Sequence, residues 1–292
     1  MSSTTRVDKI DIPTRANFIA EGEGQPIVMI HGLAASLHDW DFILPELVTA
    51  GYSCYALDLL GHGVSPKPDL RGYQIDWIYD HFILWFESLQ LNRSAVFIGH
   101  SLGGYIALEV ARSHPEWIHG LVLVDPLFSL DQLPALMRFI YRYPVLSGFV
   151  AHKTPEVLLR MIIDISSLSM GHSAGGLHAL PERVRAQTAL DYTRTAPGVY
   201  NVLNGKLDLT PNLASITIPS LVLWGDHDQT LSPASFGKLV NMLPNAIGRS
   251  IQAGHVPHQS NADWFNSVVL EFLASLVEPS PCIKNTSSLR SS

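Results

Sequence analysis

Short apolar runs alternate with amphipathic segments along most of this chain. The runs lie at 27–30, 53–58, 95–98, 121–124 and 219–224, and a weaker one lies at 247–252. Apolar runs of this length are typical of strands that are buried on both faces of a parallel sheet. The pattern therefore predicts an α/β fold with a mostly parallel central sheet flanked by helices.

The first strands are predicted to form an edge hairpin. The segment RANFIAEGEGQPIVMI at 15–30 begins with alternating polar and apolar residues, turns at Gly22 to Gly24, and enters the buried run Ile27 to Ile30. Glycines between two strand patterns are typical of a hairpin turn.

Two segments have the apolar spacing of amphipathic helices. The first contains Ile75, Ile78, Phe82, Trp85 and Leu89, and the second, after an Asn261 cap, contains Phe265, Val268, Val269, Phe272 and Leu276. We expect both helices to pack on the sheet.

The strand pattern stops between Asp125 and Ile218, a stretch too long for an ordinary connection. Helical stripes continue through it, at Leu133, Leu136, Met137 and Ile140 and again at Leu158, Met161, Ile162 and Ile165. We therefore expect a core of 1–126 and 216–277, a helical cap at 127–215, and a disordered tail at 278–292.

Composition and charge exclude several classes of protein. The 292 residues are 47% hydrophobic and 15% charged, with a net charge of -7 and no basic run, so nucleic acid is not an expected partner. Cys54 and Cys282 give neither a disulfide framework nor a thiolate metal cluster. The N-terminal segment has no apolar core and no stretch has the length of a membrane span, so we expect a soluble, cytoplasmic protein.

The string Gly-His-Ser-x-Gly-Gly occurs twice, around Ser101 and around Ser173. A nucleophile elbow needs a strand before the serine and a helix after it, with small residues beside it. Ser101 has this context, because the run 95–98 precedes it and YIALEVARS follows. Ser173 lies in the predicted cap, where we expect a loop between helices.

Five motifs in order resemble the capped serine hydrolases of the α/β-hydrolase superfamily, over residues 15–277. They are HGLAAS at 31–36, DLLGHGVS at 58–65, GHSLGG at 99–104, WGDHDQTLSP at 224–233 and AGHVPH at 253–258. The resemblance implies an α/β-hydrolase fold in which the helical cap is inserted after the sixth strand. It also implies a hydrolase that needs no cofactor.

A serine needs a base to take its proton during attack, and histidine suits that role near neutral pH. By resemblance the base is His255, in the Gly-His-x-Pro loop where the family places its catalytic histidine. His258 is the alternative base, although a surface or cap-facing loop histidine is the favoured interpretation. No His-Glu-x-x-His set or similar ligand pattern occurs, so no metal is expected.

An acid must orient the histidine. Asp228 fits the family's Gly-x-x-Asp pattern and is the favoured acid. Asp125 is the alternative, because some relatives carry the acid at the end of the sixth strand. The oxyanion donors are expected to be the backbone amides of Leu102, from elbow geometry, and of Leu33, by resemblance.

The predicted cap offers apolar residues for a substrate pocket. They are Leu136, Met137, Ile140, Met161 and Ile162, with Phe139 and Tyr141 beside them. Residues at this spacing also serve to pack a cap on its core. The expected partner is a small molecule, an apolar ester or acyl compound, and no residue pattern indicates an oligomeric state.

Four functions fit these residues. The first is hydrolysis of a carboxylic ester through an acyl-enzyme on a Ser-His-Asp triad. The others are hydrolysis or lysis of a carbon–carbon bond on the same triad, cofactor-free haloperoxidase or perhydrolase chemistry, and ligand reception without turnover. An aspartate at the position of Ser101 would indicate epoxide hydrolases or haloalkane dehalogenases, so the serine disfavours both.

Overall fold

The computed structural model describes residues 13–68, 72–134, 180–205 and 207–276, together with Arg138, Leu158 and Met161. Seven strands of this part of the chain form one sheet. They are β1 (Phe18–Glu21), β2 (Gln25–Ile30), β3 (Tyr52–Leu57), β4 (Ala95–His100), β5 (Ile118–Val124), β6 (Ser220–Gly225) and β7 (Ala246–Ile251).

The sheet has the order β1-β3-β2-β4-β5-β6-β7, and every neighbouring pair except β1 with β3 is parallel. All the parallel strands therefore present their carboxyl ends at one edge, which is where ligands bind in α/β sheets. The predicted α/β-hydrolase fold with a mostly parallel sheet is confirmed.

The predicted hairpin is wrong. β1 pairs with β3 in antiparallel register, Phe18 opposite Leu57, and β3 separates it from β2. The connection passes over the start of β3, where a side chain on Gly24 would collide with the carbonyl oxygen of Gly51. Gly24 has φ +118°, a conformation that L side chains rarely adopt. The glycine therefore allows the chain to pass from β1 across the start of β3 to β2, and it does not form a hairpin turn between paired strands.

Seven helices lie among the described residues. They are α1 (Leu44–Thr49), α2 (Ile75–Ser88), α3 (Leu102–Ser113), α4 (Glu182–Arg194), α5 (Pro233–Met242), α6 (Pro257–Ser260) and α7 (Ala262–Ser275). The helices predicted from apolar spacing are α2 and α7. Asn261 precedes α7 as predicted, but its side chain makes no capping hydrogen bond.

The core has two layers, one on each face of the sheet. Along β2, Val28 and Ile30 pack in the layer that contains α2, α3 and α5, whereas Ile27 and Met29 pack in the layer that contains α1 and α7. This alternation follows from the two-residue period of a strand. Burial on both faces explains why these strands read as continuous apolar runs.

The described part of the predicted cap is helical or turn-like. It comprises α4 and 3₁₀ turns at Leu130–Gln132, Pro197–Asn204 and Thr210–Ser215. The strand before the predicted cap is β5, the fifth strand of the described chain. It corresponds to the strand that the family resemblance numbered as the sixth. The domain boundaries stay predictions, and the tail at 278–292 lies outside the described residues.

Among the described residues, none of the helices combines the length and the apolar character needed to cross a membrane.

Candidate active site

Ser101 occupies a strained turn between β4 and α3. Its backbone has φ 50° and ψ -112°, outside the regions that non-glycine residues ordinarily adopt. A side chain at Gly99 would collide with the carbonyl of Gly103, and a side chain at Gly103 would collide with the carbonyl of Ile30. The small neighbours therefore permit the turn, and such strain is characteristic of functional positions.

His255 and Asp228 are joined by a short hydrogen bond. The distance from Nδ1 of His255 to Oδ2 of Asp228 is 2.7 Å, and the carboxylate is fully buried while the imidazole is 18% exposed. His255 lies in the loop between β7 and α6, and Asp228 in the loop after β6. The fold thus brings together two residues that sequence analysis named from separate motifs.

Backbone amides hold the Asp228 carboxylate. Its Oδ1 accepts hydrogen bonds from the N–H groups of Thr230 at 2.7 Å and Leu231 at 3.0 Å. Burial acts to raise the pKa of Asp228, but the charge and hydrogen bond of His255 and the two amides lower it below its usual value. The geometry therefore favours an ionised carboxylate beside the imidazole.

Asp125 lies next to this pair, with a carboxylate oxygen within 4.8 Å of ligand atoms of both residues. It is fully buried at the end of β5, and its Oδ1 accepts a hydrogen bond of 3.1 Å from the N–H of Gly225. Burial, followed by the negative charge of Asp228, raises the pKa of Asp125 well above its usual value. Asp125, the alternative acid, therefore bonds a backbone amide and favours the protonated form, whereas Asp228 bonds His255 and favours the ionised form.

A cavity of about 140 Å³ connects Ser101 with His255. Its described lining is mostly apolar and consists of Leu33, Ala34, Ser101, Leu102, Leu127, Leu133, Tyr192, Tyr200, Leu203, Thr230, Leu231 and His255. Within the described chain no hydrogen bond is recorded for the Ser101 hydroxyl. Catalytic hydrogen bonds are commonly long before substrate binds, so a cavity lined by both Ser101 and His255 is compatible with a hydroxyl and a base that act together.

Two backbone amides adjoin this cavity without partners in the described ranges. They belong to Leu33, in the loop after β2, and to Leu102, the first residue of α3. The Leu33 loop lies close to Ser101, since a Cβ on Gly32 would come within 3.3 Å of the Ser101 Cβ. Two amides without a hydrogen-bond partner in the described part of the chain thus belong to residues that line the same cavity as Ser101.

Two histidines brace the loops around the cavity. His31 bonds with the carbonyl of Gly32 through Nδ1 at 2.7 Å and accepts from the N–H of Leu59 at Nε2, so its Nδ1 carries the proton. Burial lowers the pKa of His31, consistent with a neutral ring. His100 connects the carbonyl of His255, at 2.9 Å, with Oδ2 of Asp39, at 3.1 Å.

His258, the alternative base, is almost completely buried, so the expectation of a surface position is wrong. Neither of its ring nitrogens has a hydrogen-bond partner among the described residues, and its ring packs against Trp40, His100 and Phe265. Burial, with a smaller contribution from His100, lowers the pKa of His258 well below its usual value. This environment favours a neutral packing residue.

A second cavity, of about 260 Å³, adjoins His255. Its ionisable lining residues include His38, Asp39, Asp41, Arg183 and Asp191. Asp191, on α4, accepts a hydrogen bond of 2.9 Å from the Ser36 hydroxyl and another of 2.8 Å from Gln187. The described cap helix is therefore tied directly to the loop that carries Leu33.

Most of the predicted pocket lies outside the described residues, namely Leu136, Met137, Phe139, Ile140, Tyr141 and Ile162, and so does Ser173. Met161 is described and is 51% exposed, and the residues around the Ser101 cavity do not include it. The part of the described lining that comes from the predicted cap lies instead in the turns after β5, on α4 and in the turn after α4.

Sequence analysis missed Tyr192, Tyr200 and Leu231 as cavity residues. Tyr192 lies on α4, Tyr200 in the following 3₁₀ turn, and Leu231 after β6. No periodicity unites three residues from separate segments. The sequence indicated only that Leu231, three residues after Asp228, would lie close to the predicted acid.

Acid and imidazole groups cluster twice among the described residues, as Asp39 with His100 and His258, and as Asp125 with Asp228 and His255. In each cluster the atoms lie within 4.8 Å of one another. A hydrogen bond between two members accounts for much of this proximity. The clusters therefore give no reason to assign a metal.

The fold and the site define the class of protein. A family model described as the alpha/beta hydrolase fold matches residues 25–262, which is most of the chain. The chain belongs to this family, and it is a hydrolase.

Named relatives have more than one activity. The chain is 26% identical to a pimeloyl-(acyl-carrier protein) methyl ester esterase of Aeromonas hydrophila, over 86% of this chain and 96% of that protein. It is 23% identical to the 2-hydroxy-6-oxo-6-(2'-aminophenyl)hexa-2,4-dienoic acid hydrolase of Metapseudomonas resinovorans, over 88% and 87% of the two chains. A thermophilic esterase from Thermogutta terrifontis has the same fold, with a TM-score of 0.74 and 21% identity over 89% and 93%.

Proposed function

We propose that this protein hydrolyses a carboxylic ester through an acyl-enzyme, with Ser101 as nucleophile, His255 as base and Asp228 as the orienting acid. The observation that carries the proposal is the cavity that Ser101 shares with His255. Nδ1 of the same histidine is hydrogen-bonded to the buried carboxylate of Asp228. A serine hydroxyl, a base and an orienting acid are the components that acyl transfer needs.

The first half of the reaction forms an acyl-enzyme. The Ser101 hydroxyl oxygen attacks the ester carbonyl while Nε2 of His255 takes its proton. The amides of Leu33 and Leu102 donate to the oxyanion of the tetrahedral intermediate. His255 then gives the proton to the departing alkoxide, and the alcohol leaves.

The second half uses water in place of the alcohol. His255 takes a proton from water as its oxygen attacks the acyl-enzyme, and the second tetrahedral intermediate releases the acid as the proton returns to Ser101. Throughout, the Asp228 carboxylate fixes the tautomer of His255 and stabilises its positive charge. The low pKa of Asp228 supports this role, because it favours the ionised form.

The size and lining of the Ser101 cavity favour a short, apolar acyl group. Its described lining encloses about 140 Å³. The side chains of Leu127, Leu203 and Leu231 in its lining offer no hydrogen bonds. We therefore expect acetyl to butyryl esters to be better substrates than octanoyl esters.

A carbon–carbon bond hydrolase is the second candidate, because the chain is also similar to the dienoic acid hydrolase of Metapseudomonas resinovorans. Such a reaction can begin with proton transfer before any acylation. Parallel assays with an aryl ester and a vinylogous diketone separate the two, since the proposal predicts higher kcat/KM for the ester.

The test is ester hydrolysis by the wild type beside Ser101→Ala and Ser173→Ala, over aryl esters of increasing acyl length. Loss of the nucleophile is expected to lower kcat by about 10⁴-fold or more. Ser173→Ala is the matched control, because it removes the same hydroxyl from the duplicated motif. Full activity in Ser101→Ala, or its loss in Ser173→Ala alone, would overturn the assignment.

A further inference from the structure

Asp125 is a buried acid that the proposed reaction does not use. It ends β5 with φ 40°, and its own N–H donates to the carbonyl of Leu223 at 2.9 Å. Its Oδ1 accepts from Gly225, but its Oδ2 has no hydrogen-bond partner within the described chain. A buried carboxyl oxygen without a donor is costly if it is charged.

Among the described residues, the titratable groups that face Asp125 are Asp228, in the loop after β6, and His255, in the loop after β7. Side-chain atoms of all three residues lie within 4.8 Å of one another. Gly225 ties the two acids together, because its N–H donates to Asp125 and its carbonyl accepts from the N–H of Asp228 at 3.2 Å.

Two buried carboxyl groups at this separation do not both ionise readily, because like charges repel strongly in a low dielectric. The donors decide which one keeps the proton. Asp228 accepts hydrogen bonds from His255, Thr230 and Leu231, whereas Asp125 accepts one. The negative charge is therefore stabilised on Asp228, and the shifts in pKa have the same directions, raised for Asp125 and lowered for Asp228.

We propose that Asp125 is a neutral carboxylic acid at neutral pH, and that the proton on its Oδ2 forms a hydrogen bond to the Asp228 carboxylate. Asp125 is then a positioning residue, which rests on the proposed role of Asp228 as the acid that orients His255. No proton leaves Asp125 during turnover. Its function is to hold the Asp228 carboxylate toward the imidazole and to spread part of its charge.

Substitutions distinguish a neutral donor from an ionised acid. Asp125→Asn keeps the shape, an acceptor for Gly225 and an N–H donor for Asp228, so kcat is expected to stay within about threefold of wild type. Asp125→Ala removes the donor and is expected to lower kcat by about 10- to 100-fold with little change in KM. Asp226→Asn is the matched control, since it removes an exposed carboxylate beside the same loop.

A spectroscopic measurement reads the proton directly, without activity. Because burial raises the pKa of Asp191 to about 7, the measurement is made in an Asp191→Asn background. That protein is expected to show the infrared carbonyl band of a protonated carboxylic acid at neutral pH, and adding Asp125→Asn is expected to remove the band. Adding Asp226→Asn instead should keep the band. Absence of the band in the Asp191→Asn protein would overturn the proposal, and so would a loss of kcat in Asp125→Asn as large as in Asp228→Asn.

Stability gives a second reading. A carboxyl whose pKa is raised by folding stabilises the native state fully below its unfolded pKa, about 3.9, and loses that contribution as pH rises. Wild type should therefore become progressively less stable than Asp125→Asn as pH increases from about 4 toward neutral. Equal pH dependence of the two proteins would contradict a neutral Asp125.

The two proposals fail in different ways. Full ester activity in Asp228→Asn would remove the proposed triad acid, whatever the protonation of Asp125. A normal effect of Asp228→Asn with no protonated carboxyl band would remove only the inference about Asp125.

Discussion

Nδ1 of His255 lies 2.7 Å from Oδ2 of Asp228, although the two residues are 27 positions apart in the sequence. The bond joins the loops that follow two neighbouring strands, β6 and β7, at the carboxyl edge of the sheet. It leaves Nε2 of His255 as the nitrogen available to a substrate or to Ser101. The proposed roles follow from this arrangement: Asp228 orients the ring through Nδ1, and Nε2 is the nitrogen that can take the Ser101 proton.

Asp228→Asn is expected to lower kcat by about 10³- to 10⁴-fold while leaving the fold intact. An amide can donate to Nδ1 and so stabilise the wrong tautomer of the imidazole. Kinetics on a short-chain aryl ester check the result, with Asp226→Asn as the control. A decrease below tenfold would count against Asp228 as the acid.

The Leu33 amide can be tested by a proline substitution. Leu33→Pro removes the N–H that is proposed to bind the oxyanion, and kcat should fall by about 10²- to 10³-fold. Leu33→Ala keeps the N–H and serves as the control for loss of the side chain. Circular dichroism of both variants verifies folding, and equal kcat values for the two would speak against this donor.

Acyl selectivity should respond to Leu203, which is nearly buried and lines the Ser101 cavity. Leu203→Ala enlarges the cavity, so kcat/KM for an octanoyl ester should rise relative to that for an acetyl ester. Val202→Ala, at a buried neighbour outside the lining, controls for the loss of core packing. An unchanged acyl preference in Leu203→Ala would place the acyl group elsewhere.

Asp191 is expected to make stability depend on pH. Burial raises its pKa to about 7, although hydrogen bonds from Ser36 and Gln187 act to lower it. Because the folded pKa exceeds the unfolded value of about 3.9, stability is greatest below that value and falls as pH rises toward 7. Asp191→Asn should lack this loss, which is roughly 1 kcal/mol per pH unit.

Urea unfolding at pH 4, 5.5 and 7 measures this effect, and the difference between Asp191→Asn and wild type should grow with pH. Parallel curves for the two proteins would show that Asp191 ionises normally in the folded state.

The sequence predicted the strands well because each is buried on both faces and so reads as an apolar run. The core helices α2 and α7 were also predicted, since their buried residues recur at helical spacing. The pairing of β1 was not predicted, because local pattern does not record that the connection at Gly24 crosses the start of β3.

The candidate site was predicted in part. Ser101, His255 and Asp228 each lie in a short motif that can be recognised in a single sequence by its resemblance to the family. Tyr192 and Tyr200 reach the cavity only through the path of the chain after α4, which no short motif encodes. The different surroundings of Asp125 and Asp228 likewise depend on donors from Gly225, Thr230 and Leu231, which only the folded loop positions.

The most direct test of the proposed chemistry is labelling of the wild type with a fluorophosphonate, followed by mass spectrometry of its peptides. The reagent forms a stable bond with a serine that a neighbouring base activates. We expect one label per chain, on Ser101, and inhibition of ester hydrolysis in proportion to labelling. A label on Ser173, or full ester hydrolysis by protein labelled completely at Ser101, would contradict the account.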